Sequence, residues 1–187
     1  MVTRRSASVR IHNMTGQGIL SASVSHKYSD DYKNHHTWAG PIKSFFLTDP
    51  DDGMAVDFNT GAFTTGRDWW FVTWVTEDGV THVTDPSNAR GFIDVIEKIG
   101  KKAAIPATSL AIKLAAAPEP AISKAAAAAV GVTSALVLAM TNDEKTAGFK
   151  QHILRSEDAS GVNVITLTPD AVVFTSPSGA STTQVSQ

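Results

Sequence analysis

Residues 69–76, WWFVTWVT, constrain the fold of this chain more than any other stretch. Side chains on a strand alternate between its two faces, so Trp70, Val72 and Trp74 point one way and Trp69, Phe71, Thr73 and Val75 the other. Both sets are apolar, and a strand apolar on both faces has to lie between two layers. An exposed aromatic platform would keep one face polar, so most of these rings are read as core. What stays open is the strand mouth, where Arg67 and Asp68 precede Trp69 in the run GRDWW.

Further β patterns surround this strand. Ser8–Met14 and Ile19–Val24 alternate about a glycine-containing turn and read as a β-hairpin. Met54–Phe58 follows the turn Asp49-Pro50-Asp51-Asp52-Gly53, and Val80–Val83 returns after Glu77-Asp78-Gly79. The pattern changes after Asp85-Pro86-Ser87, where Phe92, Val95, Ile96 and Ile99 recur at helical spacing and predict a helix over Asn88–Lys101. Pro106 and Pro118-Glu119-Pro120 divide the alanine-rich continuation into a short helix near Ala107–Ala116 and a longer one near Ala121–Thr141. Strand patterns resume at Phe149–Leu154, Val162–Leu167 and Val172–Thr175, and a Ser/Thr-rich tail leaves room for one edge strand. Strands, then helices, then strands predict a mainly β, α+β fold: one antiparallel β-sandwich domain over residues 1–187 with a helical insertion at about 88–142.

Composition narrows the function classes. The chain has 187 residues, 16 basic against 18 acidic side chains and no cysteine. The near-balance supplies no field for a phosphate backbone, so no nucleic-acid partner is expected. The absence of cysteine removes disulfides, thiolate metal sites and cysteine nucleophiles. No secretory leader is legible in MVTRRSASVRIHNMTG, so the expectation is a cytoplasmic protein or one released without a signal peptide. Asn13-Met14-Thr15 fits a glycosylation acceptor but reads as a turn at a strand end.

The richest polar-aromatic segment is SHKYSDDYKNHHTW, Ser25–Trp38. Its adjacent His35 and His36 point apart on extended backbone, and no zinc spacing is present, so no metal is assigned. Asp49, Asp51 and Asp52 lack the closing glutamate of a calcium loop, and Gly16-x-Gly18 lacks a phosphate-loop context, so no cofactor is assigned. The favoured reading is a non-enzymatic binding protein whose Tyr28, Tyr32, His35, Trp38, Arg67, Asp68 and Trp69 line one loop end and recognise a lipid headgroup or glycan. The alternative is a membrane-active or pore-forming protein that inserts the hairpin Ala107–Thr141, since Ala125–Asn142 carries no acidic or basic side chain. A third reading, an enzyme with His35 or His36 as base beside Asp30, Asp31 or Asp68, rests on residue type alone.

NMTG, SHKYSDDYKNHHTW, TGAFTTGRDWWFVTW and GFKQHILRSED together resemble a family found in fungi and some animals, the Up-regulated in Daf-two domain. The strongest parts are His26–Asp30, Thr64–Trp70 and Phe149–Arg155. The family name records altered expression, so the resemblance implies no catalytic residues. The layout is also similar to aegerolysin and actinoporin-like β-sandwiches, a likeness of fold that makes a membrane surface a partner to test.

Overall fold

In the computed structural model the residues described are 1–29, 31–62, 64–84, 119–142, 144, 146 and 148–186. The helices expected over Asn88–Lys101 and Ala107–Ala116, and the candidate base partner Asp30, lie outside them. The chain is mainly β with one described helix.

The strands are β1 (Thr3–Asn13), β2 (Ile19–Tyr28), β3 (Tyr32–Ile42), β4 (Met54–Thr60), β5 (Asp68–Thr76) and β6 (Thr81–Thr84). After helix α1 (Glu119–Asn142) come β7 (Lys150–Gln151), β8 (Val162–Leu167), β9 (Ala171–Ser176) and β10 (Gly179–Ser186). They form one sheet in the order β3-β2-β5-β6-β10-β9-β8-β1-β4, with the short β7 added beside β5. Among the described residues all the strand pairings are antiparallel except β1 with β8.

The sheet curls until its edges β3 and β4 face each other, giving a nearly closed, barrel-like shape. Among the described residues no backbone ladder joins these edges; side chains bridge the seam instead. Asn34 Oδ1 accepts from the Asp57 N–H at 3.2 Å, and Trp38 Nε1 donates to the Asp52 carbonyl at 2.7 Å. Tyr28 and Tyr32 donate to the Asn59 carbonyl and Asn59 Oδ1 at 3.1 and 3.2 Å. Satisfying polar edge groups this way protects two strands that would otherwise invite intermolecular pairing.

The central strand β5 is buried on both faces, as its period requires. Trp70, Val72 and Trp74 point into the barrel among Val9, Ile11, Val24, Phe58 and Phe174. Phe71 packs outside with Leu136, Val137, Met140 and Phe149, and Val75 packs with Leu20 and Ala129. The second layer is therefore α1. Its buried Ala129, Thr133, Leu136, Val137, Met140 and Thr141 recur at i, i+4, i+7, i+8, i+11 and i+12, the spacing of one helical face. The docking surface is partly polar: Ser21 pairs with Thr133 at 2.9 Å, Ser25 with Thr141 at 2.6 Å and Thr37 with Ser134 at 3.1 Å. Small residues permit the close approach, and paired hydroxyls avoid leaving buried polar atoms orphaned. Ala125–Asn142 is long and apolar enough to cross a membrane by length and composition, with a mean hydropathy of 1.6.

Three local expectations change. β1 and β2 are consecutive but do not pair with each other; β1 lies between β8 and β4, and β2 between β3 and β5. The Ser25–Trp38 segment is not a loop but the end of β2, a tight turn and most of β3, because Tyr32, Asn34 and Trp38 find partners across the seam. The Ser/Thr-rich tail is an internal strand, β10, between β9 and β6, where the β-branched Thr182, Thr183 and Val185 suit a pleated surface.

Candidate functional site

Three strand ends meet at one end of the barrel: the close of β2 at Tyr28, the close of β4 at Asn59 and Thr60, and the start of β5 at Asp68. The segment Ile153–Glu157 completes an open cleft of about 660 Å³, whose walls include Tyr28, Arg67, Asp68, Ile153 and Arg155. HKYSD, GRDWW and FKQHILR, distant in sequence, thus converge on one concavity.

The loops are tied together locally. Ser29 N–H donates to the Arg67 carbonyl at 3.0 Å, and Arg67 N–H donates to Ser29 Oγ at 3.1 Å. Gly66 lies against the Tyr28 ring, so that any Cβ there would collide with the ring carbons and the hydroxyl. The glycine of GRDWW is needed for this close approach. Burial, aided by the charges of Asp68 and Asp31, raises the Tyr28 phenol above its ordinary value and keeps it a neutral donor to Asn59.

Beneath the cleft is a fully buried pair. His26 Nε2 and Asp68 Oδ1 are 2.8 Å apart, with neither side chain exposed. Asp68 Oδ2 accepts from the Leu154 N–H at 2.9 Å, and His26 Nδ1 lies 3.3 Å from Asn34 Oδ1. The His26 ring packs on Trp70 with centroids 4.3 Å apart. Every polar atom of the pair has a partner, so it locks the strand start of β5 to β2 and to Leu154. The histidine beside Asp68 is His26, while His36 lies across the seam from Asp52 at 3.1 Å.

A second buried carboxylate supports the far wall. Asp158 accepts from the Arg155 N–H at 2.6 Å, the Ser178 N–H at 2.7 Å and the Ser178 hydroxyl at 2.6 Å. Burial alone would raise its carboxyl, but these hydrogen bonds outweigh it and hold it below the ordinary value. The turn carrying Arg155, Ser156 and Glu157 is thereby fixed.

Of the residues the sequence nominated, Tyr28, Arg67 and Asp68 come together here, and Tyr32 adjoins them with its ring 6.0 Å from that of Tyr28. His35 projects from the edge strand β3 and is exposed. Trp38 is 1% exposed and belongs to the barrel core. Trp69 is half-buried on the outer face beside the Phe71–Phe149 cluster. Arg155, Asn59 and Ile153 were not nominated; the signal for Ile153 and Arg155 was their place in the FKQHILR segment, and Asn59 had none. Among the described residues no group of three His, Asp or Glu side chains is placed to hold a metal ion.

At the rim, Arg67 and Arg155 are exposed, together with Ile153 at 46%. Two guanidinium groups and an exposed aliphatic side chain make a surface suited to an anionic group, while the Thr64 and Ser156 hydroxyls already donate to the Gly61 carbonyl and to Glu157. A comparison with curated proteins finds no match. The profile of one family aligns with residues 3–185, a span that takes in the barrel, α1 and every wall of the cleft. On that match the chain belongs to the family described as Up-Regulated in long-lived daf-2.

Proposed function

We propose that this protein is a non-enzymatic binding module that holds a polar ligand, a lipid headgroup or a glycan, in the cleft at the Tyr28–Arg67–Arg155 end of the barrel. The observation that carries this reading is the placement of Arg67 and Arg155, from separate segments, on the rim of one cleft. Arg is suited to bidentate recognition of phosphate, with each charge-assisted hydrogen bond stronger than a neutral one. Among the described residues the cleft's aromatic, Tyr28, is 3% exposed, so no ring face is offered for stacking a bare sugar. The reading therefore favours a phosphate-bearing headgroup or a phosphorylated glycan. Glu157 on the same rim disfavours a highly charged polyanion.

Calorimetric titration with soluble glycerophospho-headgroups and sugar phosphates, beside a neutral glycan array, tests it. Arg67→Ala with Arg155→Ala is expected to lower affinity for the phosphorylated ligands by about tenfold or more. Absence of binding to every class, or binding indifferent to both substitutions, refutes it.

The length and hydropathy of Ala125–Asn142 favour a second reading, membrane insertion of α1 after release from the sheet. A Ser25→Cys/Thr141→Cys disulfide would lock the helix down; vesicle dye release that disappears on oxidation and returns on reduction supports insertion, and no release in either state excludes it.

A further inference from the structure

The opposite end of the barrel carries a feature that the cleft does not explain. Phe45, Phe46, Leu47 and Met14 are exposed by 67%, 58%, 38% and 37%, whereas the other large aromatic side chains among the described residues are mostly buried. They come from two loops that a single buried residue clamps together. Asn13, 0% exposed, donates its amide to the carbonyls of Gln17 and Ile42, each at 2.8 Å. Its backbone accepts from the Phe45 N–H at 2.7 Å and donates to the Phe46 carbonyl at 2.9 Å. Phe45 itself is held at φ +65°, a conformation unfavourable for a bulky residue. The fold thus spends a buried asparagine and a strained backbone to hold apolar side chains out in water. Both Asn13 amide hydrogens are used in this clamp, so the acceptor-like Asn13-Met14-Thr15 pattern is structural.

We infer that this loop pair is a membrane-interface anchor that inserts into a zwitterionic, choline-headed bilayer. Side chains at loop tips offer too little area for a stable protein interface, which needs roughly 800 Å² per partner, but suit shallow insertion among deformable headgroups. Charge selects the kind of surface. Asp49, Glu77, Asp78 and Asp170 are exposed on this and the neighbouring turns, against the half-buried Arg10, tied to the Thr48 carbonyl, and Lys43, whose ammonium lies over the Phe46 ring at 5.9 Å. An acidic rim is repelled by an anionic leaflet and complements a surface whose outermost charge is the choline ammonium. Seated this way, the barrel leaves the cleft at its other end open to water, where it can take a soluble phosphorylated ligand but no headgroup of the same bilayer.

Co-sedimentation with pure phosphatidylcholine vesicles, and with vesicles containing phosphatidylserine, tests the assignment on the full chain. Phe45→Asn with Phe46→Ser is the variant, since asparagine tolerates a positive φ and both positions are exposed. Binding to phosphatidylcholine is expected to fall by about tenfold or more in the variant, to persist at high salt, and to survive Arg67→Ala. Failure of the wild type to bind phosphatidylcholine, binding confined to phosphatidylserine vesicles, or equal binding by a variant with unchanged Tm overturns it. So does concentration-dependent self-association, read by light scattering without vesicles, that the same variant abolishes; the patch would then be a contact between copies.

Discussion

Replacing Asp68 tests whether the buried His26–Asp68 pair is a structural lock. In Asp68→Ala two groups lose their acceptor: the His26 ring, 2.8 Å from Oδ1, and the Leu154 N–H, 2.9 Å from Oδ2. Both lie in a site with no exposed side-chain surface on either member of the pair. Each orphaned buried group costs about 1–3 kcal/mol, and truncating one partner of a buried pair costs about 3–5 kcal/mol, so a loss of about 4 kcal/mol is expected. Asp68→Asn behaves differently. Its amide oxygen still accepts from Leu154, and its NH₂ donates to His26 Nε2 once the imidazole carries its proton on Nδ1, facing Asn34 Oδ1 at 3.3 Å. That rearrangement costs about 1 kcal/mol. Urea unfolding followed by tryptophan fluorescence measures both; with a slope of about 2 kcal/mol/M, the midpoint should drop by about 2 M for alanine and about 0.5 M for asparagine. A loss below about 1 kcal/mol for Asp68→Ala, or equal losses for both variants, would refute the hydrogen-bond argument.

Stability should also fall on acidification in two stages. Burial lowers the His82 and His152 pKa values below the ordinary 6.5, with nearby carboxylates offsetting only part of the effect, so the unfolded chain takes up protons first. Tm should therefore decline as pH drops below 6.5, and His152→Phe, which can pack on Phe174, should flatten the decline; an unchanged slope contradicts this. The depressed Asp158 carboxyl stabilises the fold above its ordinary pKa of 3.8, and that contribution is lost as pH falls through its lower folded value, a loss that Asp158→Asn should remove. Thr141→Val should cost about 1–3 kcal/mol by orphaning Ser25, whereas adding Ser25→Ala should recover part of it; additive losses in chemical denaturation would count against the hydroxyl pairing. Gly66→Ala should displace the Tyr28 ring from Asn59 and weaken cleft binding together with stability; binding at wild-type affinity would show that the Tyr28 wall does not matter.

Much of the architecture was readable because side-chain period reports faces. The alternation at Trp69–Val75 demanded two apolar layers, and the barrel core and α1 are those layers. The alanine-rich run from Ala121 to Thr141 promised a helix through propensity, and α1 spans Glu119–Asn142. Period does not report neighbours, however: the same alternation in β1 and β2 is satisfied by a hairpin or, as found, by separate partners. Nor does composition report placement: from one polar-aromatic stretch Tyr32 comes to adjoin the cleft, while Trp38 enters the barrel core and reaches Asp52 across the seam.

By itself, the sequence determined local identity where the period is strong: the two-faced strand β5, the helix α1, which of their faces must be dry, and which residue types carry charge. Those follow from covalent geometry and from the solubility of individual side chains. Only the tertiary structure decided which distant segments share a surface. The barrel brings Arg67 to Arg155 at one end and Met14 to Phe45 at the other, and buries His26 against Asp68 between strands. Such encounters depend on strand order and on closure of the sheet, which arise from the sum of many weak contacts across the whole molecule.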